Sequence, residues 1–279
     1  MGTGAGCDAG SDKDTSGAAR TPIVAVSVPP LADFVERLAG DRVHLEVMLP
    51  AGANPTTYEP SMVQMRAMQR AALYVKVGHP NFAFERAWLQ GLLKSAPQLP
   101  VVDCAAAADA KTGDPHIWLS PAAVLRMLPA IAAGLKNVLP AHAAAIARRR
   151  ADFARRVRAL DRHIGHELGQ AATQRIVVFH PAWGYFAEHY GLEQVAIETQ
   201  GKRPSAAQLD AIARQLQHSQ TQQIVVQPQF SGQSAALIAK RIGARVRSLN
   251  PLSRDWVGTM KRAAAVFTGR SPARRHAEP

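Results

Sequence analysis

Cysteine is scarce in this 279-residue chain, which carries only Cys7 and Cys104. Two such residues give neither a disulfide framework nor a paired-thiolate metal motif. Cys104, behind Val101-Val102-Asp103, reads as a small buried core residue. Long apolar runs are missing as well: no stretch approaches the roughly 18 residues that a transmembrane helix needs. Aromatic residues are only 6% of the chain, and the basic residues are not interleaved with them, which argues against a base-stacking surface. The formal charge of +12, from 33 Lys and Arg against 21 Asp and Glu, therefore reads as a solvated basic surface with no nucleic-acid partner. Neither an HExxH run nor a G-x-S-x-G elbow occurs, so the signatures of a metal-dependent hydrolase and of a serine hydrolase are lacking. Also absent are a His/Asp-rich loop and any internal duplication visible in the sequence.

What is present is enough apolar sequence, 47%, for one large domain or two of ordinary size. Cys7 ends Gly4-Ala5-Gly6-Cys7 and is followed by a Ser/Asp/Gly-rich stretch to Ala19. This is similar to the end of a bacterial lipoprotein signal, although no apolar signal core precedes it. Residues 1–21 are expected to be a disordered leader or tether, and a membrane attachment would require lipidation of Cys7. From Ile23 onward, short Val/Ile/Leu-rich runs alternate with amphipathic stretches, the pattern of βαβ units on a mainly parallel sheet. The expected strands are Ile23–Val28, Val43–Leu49, Leu73–Val77, Val101–Asp103, Arg175–Phe179, Gln194–Ile197, Gln223–Val226 and Arg245–Leu249.

The middle of the chain differs. Ile146, Phe153, Val157, Leu160, Ile164 and Leu168 recur at spacings of three, four and seven, which marks one stripe of a long helix. Arg148, Arg149, Arg155, Arg156 and Arg162 fall off that stripe. The expected fold class is therefore α/β, with an N-terminal lobe over residues 22–139, a rigid linking helix over 140–169 and a C-terminal lobe over 170–268. Residues 269–279 are expected to be a disordered polar tail.

Two histidines stand where such a fold binds its ligands. His116 lies in Asp114-Pro115-His116-Ile117-Trp118-Leu119, and His180 ends Ile176-Val177-Val178-Phe179-His180. Each is read as closing a strand-like run, and carboxyl ends of strands line the cleft of an open α/β sheet. Imidazole is the commonest metal-binding side chain, so two of them, one per half, suggest a metal between two lobes. His79, behind Val75-Lys76-Val77-Gly78, is a further candidate from the first lobe, and Glu198 a candidate from the second. Trp118 and Trp183 read as core anchors beneath the site. His142, His163, His166, His189 and His218 read as surface residues.

The order of motifs resembles the substrate-binding proteins of bacterial zinc- and manganese-type ABC importers. The likeness rests on Pro50-Ala51-Gly52-Ala53-Asn54-Pro55-Thr56-Thr57-Tyr58-Glu59-Pro60, Asp114 to Leu119, Phe179-His180-Pro181-Ala182-Trp183, Gln227-Pro228-Gln229-Phe230 and Leu249-Asn250-Pro251-Leu252. It covers roughly residues 22–268. It implies an extracytoplasmic protein, in the periplasm or at the outer face of the cytoplasmic membrane. Such a protein is monomeric and non-enzymatic, and hands a divalent metal to a membrane permease. It also implies four metal-holding side chains, of which two match, His116 and His180. Thr56 stands where that family usually has histidine and Asn250 where it usually has aspartate, while Gln227 occupies a third, usually acidic, cleft position. The expected set is then His79, His116 and His180 with Glu198 or water as fourth ligand, Zn²⁺ being favoured over Mn²⁺ by the imidazoles. The alternative is a diverged member that binds a chelated or non-metal ligand, or acts as an adhesin-like lipoprotein.

Overall fold

The computed structural model describes residues 21–110, 113–171, 174–198, 204–217, 222–230 and 232–269. The lipoprotein-like Cys7, the leader, His218 and the tail beyond residue 269 lie outside them. The first lobe runs β1 Ile23–Val26, α1 Pro29–Ala39, β2 His44–Val47, α2 Met62–Gln69, β3 Leu73–Lys76, α3 Ala83–Ser95, β4 Val101–Asp103, α4 Cys104–Ala108 and α5 Pro121–Val138. The linking helix is α6, Ala143–Leu168. The second lobe runs β5 Arg175–Val178, α7 Gly184–His189, β6 Glu193–Ala196, α8 Ala206–Gln217, β7 Gln223–Val226, α9 Gln233–Ile242, β8 Arg245–Ser248 and α10 Trp256–Phe267.

Each lobe holds a four-stranded sheet, ordered β2-β1-β3-β4 in the first and β6-β5-β7-β8 in the second. Every pairing is parallel, with Val24 opposite Leu45 and Leu73, and Val177 opposite Val195 and Ile224. The central strands are covered on both faces, which is why they read as continuous apolar runs rather than alternating ones. Helix starts are set locally. Pro29 and Pro30 occupy the first turn of α1, Ser61 and Gln64 form a capping box on α2, and Ser120 and Asp255 cap α5 and α10.

The 26 residues of α6 make a rod of about 39 Å. The six residues of its predicted stripe are its buried residues, and they face α1, α5 and α10. The last helix among the described residues, α10, is a second tie between the lobes. Trp256 on α10 sits edge-on to Phe34 of α1 at 5.3 Å and to Phe153 of α6 at 6.3 Å. Its indole N–H donates to the Trp118 carbonyl at 2.6 Å, while the Trp118 indole donates to the Pro251 carbonyl at 2.8 Å. Cys104 is buried, as expected.

One element was not anticipated, and one expectation is corrected. The short run Cys104-Ala105-Ala106-Ala107-Ala108 is a helical turn capped by the Asp103 carboxylate, which accepts from the Ala106 N–H at 2.9 Å. The Asp114–Leu119 segment is not a strand. Ile117–Leu119 forms a 3₁₀ turn, and His116 sits on the loop before it. The Asp114 side chain accepts from the His116 backbone N–H at 2.9 Å, closing a turn that competes with any ladder. Ile117, Trp118 and Leu119 are buried by packing, and three buried apolar residues in a row do not distinguish a strand from a turn.

Candidate metal centre

The carboxyl ends of both sheets open on one cleft, as parallel α/β architecture requires. The cavity there has a volume of about 570 Å³. Its wall includes Thr56, Asp114, His116 and Trp118 from the first lobe and His180, Gly184, Glu198, Gln227, Gln229 and Phe230 from the second. Sequence reasoning anticipated Thr56, His116, His180, Glu198 and Gln227. His180, Glu198 and Gln227 follow β5, β6 and β7, while Thr56 and His116 come from first-lobe loops.

The two imidazoles face each other across the cleft with ring centroids 5.4 Å apart. Each is held from behind by a carboxylate. His116 Nδ1 is 2.7 Å from Asp114 Oδ1, and His180 Nδ1 is 3.1 Å from Glu198 Oε1. A carboxylate oxygen accepts, so Nδ1 carries a proton in both rings, and in the neutral ring it is Nε2 that offers the lone pair. This carboxylate–histidine pairing is how proteins fix the tautomer of a metal-binding imidazole and raise its basicity. Asp114 and Glu198, as carboxylates, also place two formal negative charges against the imidazoles, which would balance a dication in the cleft. Phe230 stacks on the other face of His180 at 4.9 Å, and Trp118 sits edge-on to His116 at 5.4 Å. Trp118 is thus both a core anchor and part of the wall. Trp183 is fully buried against Phe186 and Phe267.

The remaining candidates are placed differently. His79 does follow β3, but its ring is not in the cavity wall. It is 3% exposed, and its Nδ1 accepts from the Asn81 N–H at 3.1 Å. Gly78, at φ 81°, turns the chain there, and a Cβ would lie 2.0 Å from Asp103 Oδ1. Asn250 keeps its oxygen for structure, accepting from Gln229 Nε2 at 2.8 Å and the Leu252 N–H at 3.0 Å. Thr56 Oγ1 donates to Asn54 Oδ1 at 2.7 Å. Among the described residues, no group of three or more His, Cys, Asp and Glu gathers as a metal cluster. The residue that sequence reasoning missed is Asp114. Its signal was the Asp-Pro-His spacing, since a short acidic side chain two residues before a histidine can bond both its N–H and its ring.

Residues 24–269 match the family model for the zinc-uptake complex component A, periplasmic. The chain belongs to this family. Relatives of the zinc-uptake family include the zinc-binding lipoprotein AdcA of Streptococcus pneumoniae, 28% identical over 246 residues that cover 80% of this chain and 48% of that protein. The chain thus spans about half the length of that relative. The high-affinity zinc uptake system protein ZnuA of Paracoccus denitrificans is 29% identical, covering 70% of this chain and 72% of its own length. A crystal structure of ZnuA superposes with a TM-score of 0.84 at 32% identity, over 90% of this chain and 99% of that one. Its zinc-bound deletion mutant gives a TM-score of 0.83, also at 32% identity, over 91% of this chain and 99% of that one.

Proposed function

We propose that this chain is the extracytoplasmic binding component of a metal ABC importer, and that it captures zinc in the cleft between its lobes. It is a carrier rather than an enzyme, and its partner is a membrane permease. The observation that carries the reading is the pair of opposed imidazoles, each with a carboxylate on Nδ1. His116 and His180 would contribute one Nε2 lone pair each, from opposite lobes, so that metal capture bridges the cleft. Nitrogen donors favour zinc over manganese, which prefers oxygen. Glu198 then acts behind His180, and His79 shapes the first-lobe loop rather than the metal. With α6 and α10 both tying the lobes, opening and closing falls to the cleft loops and to small rocking, not to a wide hinge.

The test is competitive zinc titration of the demetallated protein, followed through Trp118, beside His116→Ala and His180→Ala. One tight equivalent of zinc is expected, weakened at least about 100-fold in either variant. Unchanged affinity in both variants would remove the metal from this cleft.

A further inference from the structure

The cavity is much larger than the cargo. Its 570 Å³ falls within the range of small-molecule sites. Two imidazoles supply only half of a tetrahedral zinc shell; Asp114 and Glu198 are engaged on the Nδ1 atoms, and no group of three or more His, Cys, Asp and Glu among the described residues could hold the ion. The wall contributed by the loop after β7 carries two amides instead. Gln227 is 5% exposed, and its Nε2 has no hydrogen-bond partner among the described residues. Gln229 donates through Nε2 to Asn250, yet its buried Oε1 has no partner there either. Buried amide atoms are rarely left unpaired. Here one spare donor and one spare acceptor sit in the same wall, next to His180 and Phe230.

We propose that the cleft takes zinc together with a small α-amino carboxylate. This rests on the zinc-capture reading and names the form in which the metal arrives. In this arrangement His116 and His180 fill two zinc positions, and the amine and one carboxylate oxygen of the co-ligand fill the other two. The second carboxylate oxygen accepts from Gln227 Nε2, and an amine N–H donates to Gln229 Oε1. The terminal torsion of glutamine is broad, so the Gln227 amide can turn to the ligand without moving the loop, while Gln229 keeps its Nε2 on Asn250. Thr56, Gln227 and Gln229 in this wall are uncharged, and its two carboxylates, Asp114 and Glu198, are each turned to an imidazole Nδ1. Phe82, Trp118, Phe230 and Leu252 in the same wall leave room for an apolar or aromatic side chain on the co-ligand.

Native mass spectrometry and equilibrium dialysis of the demetallated full chain would test this, with zinc alone, zinc with L-histidine, and zinc with citrate. A 1:1:1 complex with L-histidine is expected, with zinc held at least about tenfold more tightly than without it. Gln227→Leu combined with Gln229→Leu should lose L-histidine while still binding zinc. Gln227→Glu should expel L-histidine by charge repulsion and tighten bare zinc. His116→Ala with His180→Ala should lose both. If L-histidine strips zinc without entering the complex, the co-ligand is wrong and zinc capture stands. Citrate retained in place of L-histidine would overturn the amino carboxylate class. Absence of zinc under every condition would sink the metal reading and the co-ligand with it.

Discussion

The two lobes are one architecture with opposite endings. The hydrogen bonds at the sheet ends align them residue by residue. The Ser27 N–H donates to the Val75 carbonyl as the Phe179 N–H does to the Val225 carbonyl, and the Leu49 N–H donates to Ser27 as the Glu198 N–H does to Phe179. Val28 and Leu49 in the first lobe therefore stand where His180 and Glu198 stand in the second. Even the next residue agrees, Pro29 against Pro181. In the first lobe that proline opens α1, and Val28 and Leu49 are fully buried. In the second lobe the same position opens on the cleft. A parallel sheet thus offers its carboxyl edge to either core or ligand, and residue type decides which. With these two positions buried, the first lobe reaches the ligand through its loops, among them the one that carries Asp114 and His116.

The cores differ in step with this. The first-lobe sheet, α6, α7 and α10 share one large buried cluster, whereas Phe179, Ile197, Leu216, Ile224 and a few neighbours form a separate small one. Trp256 is the sharpest place to break that asymmetry, because it joins α10 to α1 and α6. Trp256→Ala should destabilise the chain by about 3–5 kcal/mol, read as a lower denaturation midpoint, and should loosen the Trp118 carbonyl contact beside the site. A loss under 1 kcal/mol would mean that α10 is not a tie.

Making the second lobe resemble the first is the next largest step. His180→Val with Glu198→Leu should cost zinc affinity at least about 100-fold and leave the melting temperature unchanged or higher, since the replaced groups are a polar pair in a partly buried place. A lower melting temperature would show that the pair also serves the fold. Asp114→Asn should weaken zinc about 10–100-fold while His116 itself is intact.

A smaller effect lies where the lobes touch. A Cβ on Gly184 would lie 2.5 Å from Asp114 Oδ2, so the absence of a side chain lets the first lobe's carboxylate press against the second. Gly184→Ala should cost zinc affinity up to about tenfold by tilting Asp114 and hence His116. In an Asp114→Ala background it should cost nothing further. Additive losses would mean that Gly184 acts on the fold and not through Asp114.

Much of this was legible before any coordinates. The stripe on α6 is a pure 3.6-residue pattern, and the Val-rich strands are the signature of a doubly covered parallel sheet. His180 was legible because it directly follows such a strand. His116 was placed in the right cleft by the wrong element, since the turn that positions it is closed by a side chain rather than by the sheet. The equivalence of Val28 with His180 was hidden because the lobes share backbone hydrogen bonding but not residue type. Nor could spacing show that the ring of His79 stands outside the cavity wall. That depends on the positive φ of Gly78 and on the Asn81 N–H bonding to Nδ1.

The first lobe makes a last, pH-dependent prediction. Next to Val28, the first lobe has a buried network in which Glu85 accepts from Ser27 Oγ and from the Val77 and Gly78 N–H groups, both at 2.7 Å. Ser27 Oγ also lies 2.6 Å from the Tyr74 hydroxyl. Burial raises the Glu85 carboxyl above its ordinary 4.5, and the hydrogen bonds from Ser27, Gly78 and Val77 oppose it only in part. A carboxyl raised on folding holds its proton more tightly in the native state than in the unfolded chain. Its contribution is therefore complete below pH 4.5 and declines as pH rises through the higher native value. Asp33, also raised by burial, adds a decline of the same sign. Denaturation midpoints from pH 4 to 8 should fall with pH in the natural chain and fall less in Glu85→Gln. The variant should start from a lower midpoint at acid pH, because its amide NH₂ must face one of the backbone N–H groups the carboxylate accepted from. An equal slope in both proteins would show that Glu85 titrates as it does unfolded, and that hydrogen bonding rather than burial sets its charge.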